Sequence, residues 1–312
     1  MTGLDASARG ALRHAAQAGA APIEAGNPEA ARAAYLQGFS ADQLPLEDVA
    51  ESSEIRVGAL RLRLWRGQGA PATGAPALLY LHGGGWVIGA PETHEDICRA
   101  LANRVGAVVI SPDYRLAPEH PFPAALTDCA QALQYISAQY HSLGIDPARI
   151  VVGGDSAGGN LAAVLALMAR DGRVPPVLAQ LLVYPVTDQR QGSDSYRRYA
   201  EGFGLTSNAM AWFRDHYAAA ATDWRASPLL VPSLHGVAPA FVVLAGHDVL
   251  HDEGAAYAAR LAREATATLR VWPGQIHGFV SMSRVIPEAS EALTAIAEAW
   301  RGFDPGLRSP VA

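Results

Sequence analysis

The stretch Ile150-Val151-Val152-Gly153-Gly154-Asp155-Ser156-Ala157-Gly158-Gly159-Asn160 reads as a strand, a tight turn and the first turn of a helix. Its centre, Gly154 to Gly158, fits G-x-S-x-G. The run before it, 150–153, is apolar and β-branched, and the segment after it, 157–170, is helix-length and rich in Ala and Leu. A serine at the sharp corner between such elements projects its hydroxyl above the sheet, and its neighbours must be glycine because side chains would clash there. The helix N-terminus beneath it favours developing negative charge. The bland reading of the same residues is a Gly-rich turn that cradles a phosphate. The strand–turn–helix context favours a nucleophile at Ser156.

Working outward, short apolar runs alternate with amphipathic segments. Strands are expected at 77–81, 107–111, 150–153, 180–184, 240–244 and 268–271, and helices at 93–105, 123–140, 157–170, 252–265 and 288–301. Runs such as Ala107-Val108-Val109-Ile110 and Phe241-Val242-Val243-Leu244 are apolar on both faces, as strands covered by helices on each side require. The alternation implies a doubly wound, mostly parallel sheet of the α/β class. Residues 59–66 alternate apolar residues with Arg, which predicts an antiparallel edge strand whose arginines discourage unwanted pairing. Residues 6–20 and 28–39 read as helices, with Asn27-Pro28 as a cap followed by Pro at the first helical position. The stretch 187–231 breaks the alternation, and Thr206-Ser207-Asn208 within it looks like a helix start. It is expected to pack with the N-terminal helices as a cap. Residues 1–45 are thus the N-terminal cap helices, and 46–312 a catalytic domain carrying the insertion at about 187–231.

The bulk numbers bound the function. The chain has 312 residues, half of them hydrophobic and 17% charged, which supports one large core and argues against disorder. A net charge of −6 and the lack of a basic stretch with interleaved aromatics exclude nucleic acid as an expected partner. No apolar run approaches the ~20 residues that span a bilayer, so no stable membrane association is expected. Residues 1–20 lack the compact apolar core of a signal peptide, so the expected location is cytoplasmic. Cys98 and Cys129 belong to no C-x-x-C pair and read as reduced, half-buried thiols.

A serine hydroxyl becomes a competent nucleophile when an imidazole accepts its proton and a carboxylate fixes the tautomer of that imidazole. With a nucleophile on such an elbow, the partners follow in the order acid, then histidine. Asp248 follows the strand at 240–244, and His277 follows the strand at 268–271, which places both at the carboxyl edge of the sheet beside Ser156. Asp252 or Glu253 is the alternative acid. His82-Gly83-Gly84-Gly85-Trp86 follows the strand at 77–81, where three glycines can turn their N–H groups toward a ligand and, with the N–H of Ala157, form an oxyanion hole. His82 could be taken for the base; its expected role is to hold the glycine loop by hydrogen bonds. His247, Asp248, His251 and Asp252 form a cluster that could suggest metal, but it is not H-E-x-x-H and reads as an acidic helix start, so no metal is expected. Asp113-Tyr114-Arg115 is expected to pin a long loop.

His82-Gly83-Gly84-Gly85-Trp86, Asp113-Tyr114-Arg115-Leu116-Ala117-Pro118-Glu119, Gly154-Asp155-Ser156-Ala157-Gly158-Gly159-Asn160 and His277-Gly278-Phe279 together resemble the hormone-sensitive-lipase family of bacterial esterases, also called family IV. The resemblance runs from about Val57 to Arg301. It implies an α/β-hydrolase fold: a mostly parallel eight-stranded sheet flanked by helices, with a helical cap. It also implies hydrolysis of a small-molecule carboxylic ester with short to medium acyl chains, with Ser156, His277 and Asp248 as the triad and no cofactor. Gly84, Gly85 and Ala157 would supply the oxyanion hole, with Gly83 in the same loop. Trp86, Asp155, Phe203, Trp212, Phe213 and Tyr217 are expected to border the substrate. The family usually has Pro after the triad acid, where this chain has Val249. An amidase, lactonase or carbamate hydrolase would use the same residues. Plant gibberellin receptors resemble the family without its catalytic histidine, which His277 argues against; plant dehydratases of the family often have Thr at the position of Ser156. A homodimer is left open.

Overall fold

Eight strands form one sheet in a computed structural model that describes residues 3–19, 21–42 and 45–307. Ala20, at the end of the first expected helix, and residues 43 and 44, just before the expected 45/46 boundary, lie outside the described residues. The strands are β1 (Glu51–Val57), β2 (Leu60–Arg66), β3 (Ala75–Leu81), β4 (Val108–Pro112), β5 (Ile145–Asp155), β6 (Gln180–Val183), β7 (Ala240–His247) and β8 (Ala267–Ile276), in the order β1-β2-β4-β3-β5-β6-β7-β8. β1 and β2 are antiparallel to their neighbours, and every pairing from β4 to β8 is parallel. The eight-stranded, mostly parallel sheet is the architecture expected.

The helices are α1 (Ala6–Gln17), α2 (Pro28–Asp42), α3 (Glu95–Val105), α4 (Ala124–Ala138), α5 (Tyr140–Leu143), α6 (Ala157–Arg170), α7 (Ser195–Arg198), α8 (Ser207–Tyr217), α9 (His251–Glu264) and α10 (Glu288–Phe303). Strand periodicity divides the core in two. Leu79, Val152, Leu182 and Val242 pack with Leu133 of α4, Leu161 of α6 and Leu261 of α9. Leu78, Val151, Leu181 and Val243 pack with Leu101 of α3 and Ile296 and Trp300 of α10. Cys98 and Cys129 sit in these opposite layers, and both are fully buried rather than half-buried.

One expectation fails here. Residues 59–66 form no edge: β2 lies between β1 and β4, and β1 is the edge. Arg61 is held by Glu92 and Asp113, so it ties the sheet to its loops instead of guarding a free edge. β1 is exposed or half-buried throughout, and its sequence Glu51-Ser52-Ser53-Glu54-Ile55-Arg56-Val57 carries too few apolar residues to announce a strand.

The chain changes direction across the sheet at β3, which has β4 on one side and β5 on the other. The crevice beyond the carboxyl ends of strands at such a switch point is where open α/β sheets bind ligands. Two segments lie over it. α2 starts as expected, with Asn27 Oδ1 accepting the N–H of Ala30 at 2.8 Å. Arg32 fastens it to the body through the carbonyls of Val87 and Ala117 and the carboxylate of Glu119. α8 starts at the expected Thr206, whose hydroxyl accepts the N–H of Ala209 at 3.0 Å. No helix of the described residues is long and apolar enough to cross a membrane.

Candidate active site

Ser156 links the last residue of β5 to the first of α6 with φ 54° and ψ −118°. A non-glycine residue with positive φ is strained, and surrounding structure must hold it. The holding contact is visible at Gly158, where an added Cβ would stand 1.8 Å from the carbonyl oxygen of Leu81. Only glycine lets the elbow press so close to β3.

Two residues from other strand ends meet this serine. His277 Nε2 lies 3.0 Å from Ser156 Oγ, and His277 Nδ1 lies 2.7 Å from Asp248 Oδ2. Asp248 is 2% exposed, and its other oxygen accepts the N–H of Leu250 at 2.9 Å. The alternative acids are engaged elsewhere. Asp252 binds Arg198 at 2.7 Å and the N–H of Ser195 at 2.9 Å. Glu253 accepts the N–H groups of Thr187 and Asp188 at 2.7 and 3.1 Å. Tyr184, which the sequence did not single out, packs its ring 4.6 Å from that of His277.

The glycine loop after β3 faces the elbow. Gly84 has φ 110°, and a Cβ there would come within 2.3 Å of the Ile88 carbonyl oxygen. Among the described residues, the N–H groups of Gly84, Gly85 and Ala157 meet no protein acceptor. Gly83 does not join them: its N–H donates to Asp155 Oδ1 at 3.0 Å. Asp155 takes a place in the cavity wall, as expected, and a structural role besides. Asp155 borders the cavity, but its carboxylate also accepts from Tyr80 at 2.9 Å and meets His94 Nε2 at 3.2 Å beneath the loop. Burial opposes ionisation of Asp155 and His94 alike. Their mutual attraction outweighs it, lowering the carboxyl and raising the imidazole from their ordinary values. His82 is the loop-holder expected. Its Nδ1 lies 2.7 Å from the Gly83 carbonyl, and its ring stacks on Tyr114 at 4.1 Å. Burial, helped by His94, pushes its pKa down to about 3, which keeps it neutral. The expected loop pin is present as Arg115 on Asp128 at 2.8 Å and Arg61 on Asp113 at 3.0 Å.

A cavity of about 600 Å³ opens above Ser156. Ile23 and Tyr35 line it from the N-terminal segment, and Leu205, Met210 and Phe213 from residues 187–231. Phe213 is the expected aromatic that reaches it, packed so tightly that a Cβ on Gly85 would lie 2.2 Å from its ring. Trp86, Phe203, Trp212 and Tyr217 do not line it. Trp86 is fully buried and stacks on Tyr217 at 4.2 Å. Phe203 stacks on His247 at 5.5 Å, and Trp212 packs on His216 at 4.2 Å. Each satisfies its apolar surface within the layer that covers the crevice. Met210, three residues before Phe213 on one helix face, was legible by helical spacing but passed over for the aromatics.

His247 and His251 do not converge. The first stacks on Phe203, and Nδ1 of the second lies 2.8 Å from the Ala245 carbonyl oxygen. Among the described residues no group of three or more His, Cys, Asp or Glu side chains is placed to hold a metal ion.

Residues 78–281 match the family described as the alpha/beta hydrolase fold. The chain is 42% identical over 247 residues to ethyl acetate hydrolase of Pseudomonas putida, covering 77% of each protein. It is 41% identical over 231 residues to carboxylesterase NlhH of Mycobacterium tuberculosis, covering 70% of each. Among solved structures, an ester hydrolase from the metagenome of Lake Arreo, complexed with a bipyridine phosphonate derivative, superimposes with a TM-score of 0.91 at 39% identity, covering 95% of this chain and 98% of that one. An esterase of Pyrobaculum calidifontis superimposes with a TM-score of 0.86 at 38% identity, covering 96% and 99%.

Proposed function

The chain belongs to the α/β-hydrolase family, on its hormone-sensitive-lipase (family IV) branch of carboxylic ester hydrolases, and from that premise we propose that Ser156, His277 and Asp248 are its catalytic triad. The observation that carries this reading is the continuous line of contacts from Asp248 through His277 to Ser156, at 2.7 and 3.0 Å.

In this reading Ser156 Oγ attacks the ester carbonyl carbon while His277 Nε2 takes the hydroxyl proton. Asp248 holds the proton on His277 Nδ1, so that Nε2 is the free base, and it stabilises the imidazolium that forms. The negative charge on the carbonyl oxygen is received by the N–H groups of Gly84, Gly85 and Ala157, which meet no acceptor among the described residues. His277 then gives its proton to the departing alcohol, leaving Ser156 acylated. Water enters, loses a proton to His277 and attacks the acyl carbon; the acid departs as the proton returns to Ser156. The N-terminal residues 1–45 and the insertion at 187–231 act as the cap that excludes water and sizes the substrate, which is a small ester with a short to medium acyl chain.

The test is Ser156→Ala. Turnover of p-nitrophenyl butyrate and labelling by a fluorophosphonate probe should both vanish while the circular dichroism spectrum is unchanged. Labelling that survives in the folded variant would assign the nucleophile elsewhere.

A further inference from the structure

We propose that Glu24 makes the cavity selective for esters that carry a cationic group, such as an ammonium, remote from the scissile carbonyl. The proposal rests on the ester-hydrolase reading above and adds a substrate class to it.

Two carboxylates border the cavity, Asp155 and Glu24. That of Asp155 is consumed by Tyr80, Gly83 and His94. Glu24 is different. It sits half-buried in a short 3₁₀ turn, Ile23–Ala25, that packs against α8. Among the described residues its one side-chain hydrogen bond comes from the Thr206 hydroxyl at 3.5 Å, at the outer limit of such a bond. Among the described residues it forms no ion pair, and no Arg lines the cavity. The chain contains no Lys, so it has no side-chain ammonium of its own to serve.

Beside Glu24 and its partner Thr206 the lining from these segments is largely apolar, with Ile23, Leu205, Met210 and Phe213. Pockets of this kind take their specificity from the few polar groups they contain. A carboxylate partly withdrawn from water attracts a ligand cation more strongly than one on the open surface, because the local dielectric is lower. Tyr35 lines the same cavity, and an aromatic ring adds attraction for an ammonium. The same carboxylate repels an anionic substrate tail.

The experiment compares matched esters in wild type and Glu24→Gln. One series varies the acyl tail of p-nitrophenyl esters: neutral, terminal trimethylammonio or terminal carboxylate. The other compares butyrylcholine with its neutral 3,3-dimethylbutyl isostere. The readout is the ratio of kcat/KM for charged over neutral ester within each variant, which stays readable if overall activity changes. In wild type the cationic ester should lead by about fivefold in at least one series, the scale of one partly exposed ion pair. That lead should fall with added salt and collapse toward unity in Glu24→Gln. Glu24→Arg should reverse it in favour of the carboxylate. Should Glu24→Gln not fold, a wild-type ratio near one, or one insensitive to salt, overturns the proposal. Equal ratios in wild type and Glu24→Gln overturn it too. Hydrolysis of no ester in either series would instead sink the parent reading.

Discussion

Asp248 and Asp252 are four positions apart, both carboxylates near the start of α9, and the sequence alone left the choice between them to strand position. The structure separates them by their partners. Asp248 is 2% exposed with one oxygen on His277, whereas Asp252 faces outward onto Arg198 and Ser195. Replacing Asp248 with Asn keeps the acceptor for Leu250 N–H but loses the anion that fixes the His277 tautomer. We expect Asp248→Asn to lower kcat on the order of 10⁴-fold, as in other triads of this geometry, and Asp252→Asn to leave kcat within about tenfold. Steady-state kinetics on one p-nitrophenyl ester decides it, and the reverse ranking would move the acid to Asp252. The three residues of the proposed triad were legible as candidates because each follows a recognisable strand in a fixed order. The role of Gly83 was not: three successive glycines look equivalent until the Asp155 carboxylate is seen to occupy the first N–H.

At the scale of elements, strand-to-helix alternation was legible wherever burial on both faces forced apolar runs, as in β3 and β4, buried along their whole length. It failed at β1, whose residues are exposed or half-buried, so its pairing with β2 left little mark on composition. Also unreadable was the tie between α9 and the start of the 187–231 segment. There Glu253, 3% exposed, receives the N–H groups of Thr187 and Asp188. Burial pushes its carboxyl up to about 8, against the lowering effect of those two N–H groups, and nearby Asp188 and Asp248 raise it further. An unfolded Glu titrates at roughly 4.3. Between about pH 4.3 and 8 the folded chain therefore keeps a proton that the unfolded chain has lost, and this group contributes a loss of stability as pH rises through that window. Glu253→Gln cannot titrate. The Tm of wild type should fall more between pH 5 and pH 8 than the Tm of Glu253→Gln, measured by differential scanning calorimetry in matched buffers. Parallel curves would place the pH dependence on other groups.

Over the whole molecule, the sheet presents Ser156, Asp248 and His277 at one edge, and residues from two segments distant in the chain, within 21–38 and 204–213, line the space above them. Such a wall is hard to read from sequence. Ile23, Tyr35, Leu205 and Met210 line the cavity, while Trp86 and Trp212, the larger and more conspicuous side chains, are spent on packing. This wall sets a limit on the substrate. Each CH₂ moved from water into an apolar pocket contributes about 0.8 kcal/mol, so affinity should climb with acyl length until the chain meets that wall. Phe213, pressed against Gly85, and Met210 beside it stand within a cavity of about 600 Å³ that must hold both halves of the ester. A lipase acting at an oil surface would also need a broad exposed apolar face. Among the described residues the large exposed apolar side chains are Leu36, Leu46, Leu269 and Val271, divided among α2, the segment after it and β8. No amphipathic helix gathers them into one face. We therefore expect kcat/KM for p-nitrophenyl esters to rise from C2 to an optimum at about C4 to C8 and to fall by C12. Emulsified long-chain triglyceride should be hydrolysed poorly, with no jump in rate as substrate passes its solubility limit. A profile still climbing from C12 to C16, with such a jump, would mean that the N-terminal and 187–231 segments open together, and would make the enzyme a true lipase.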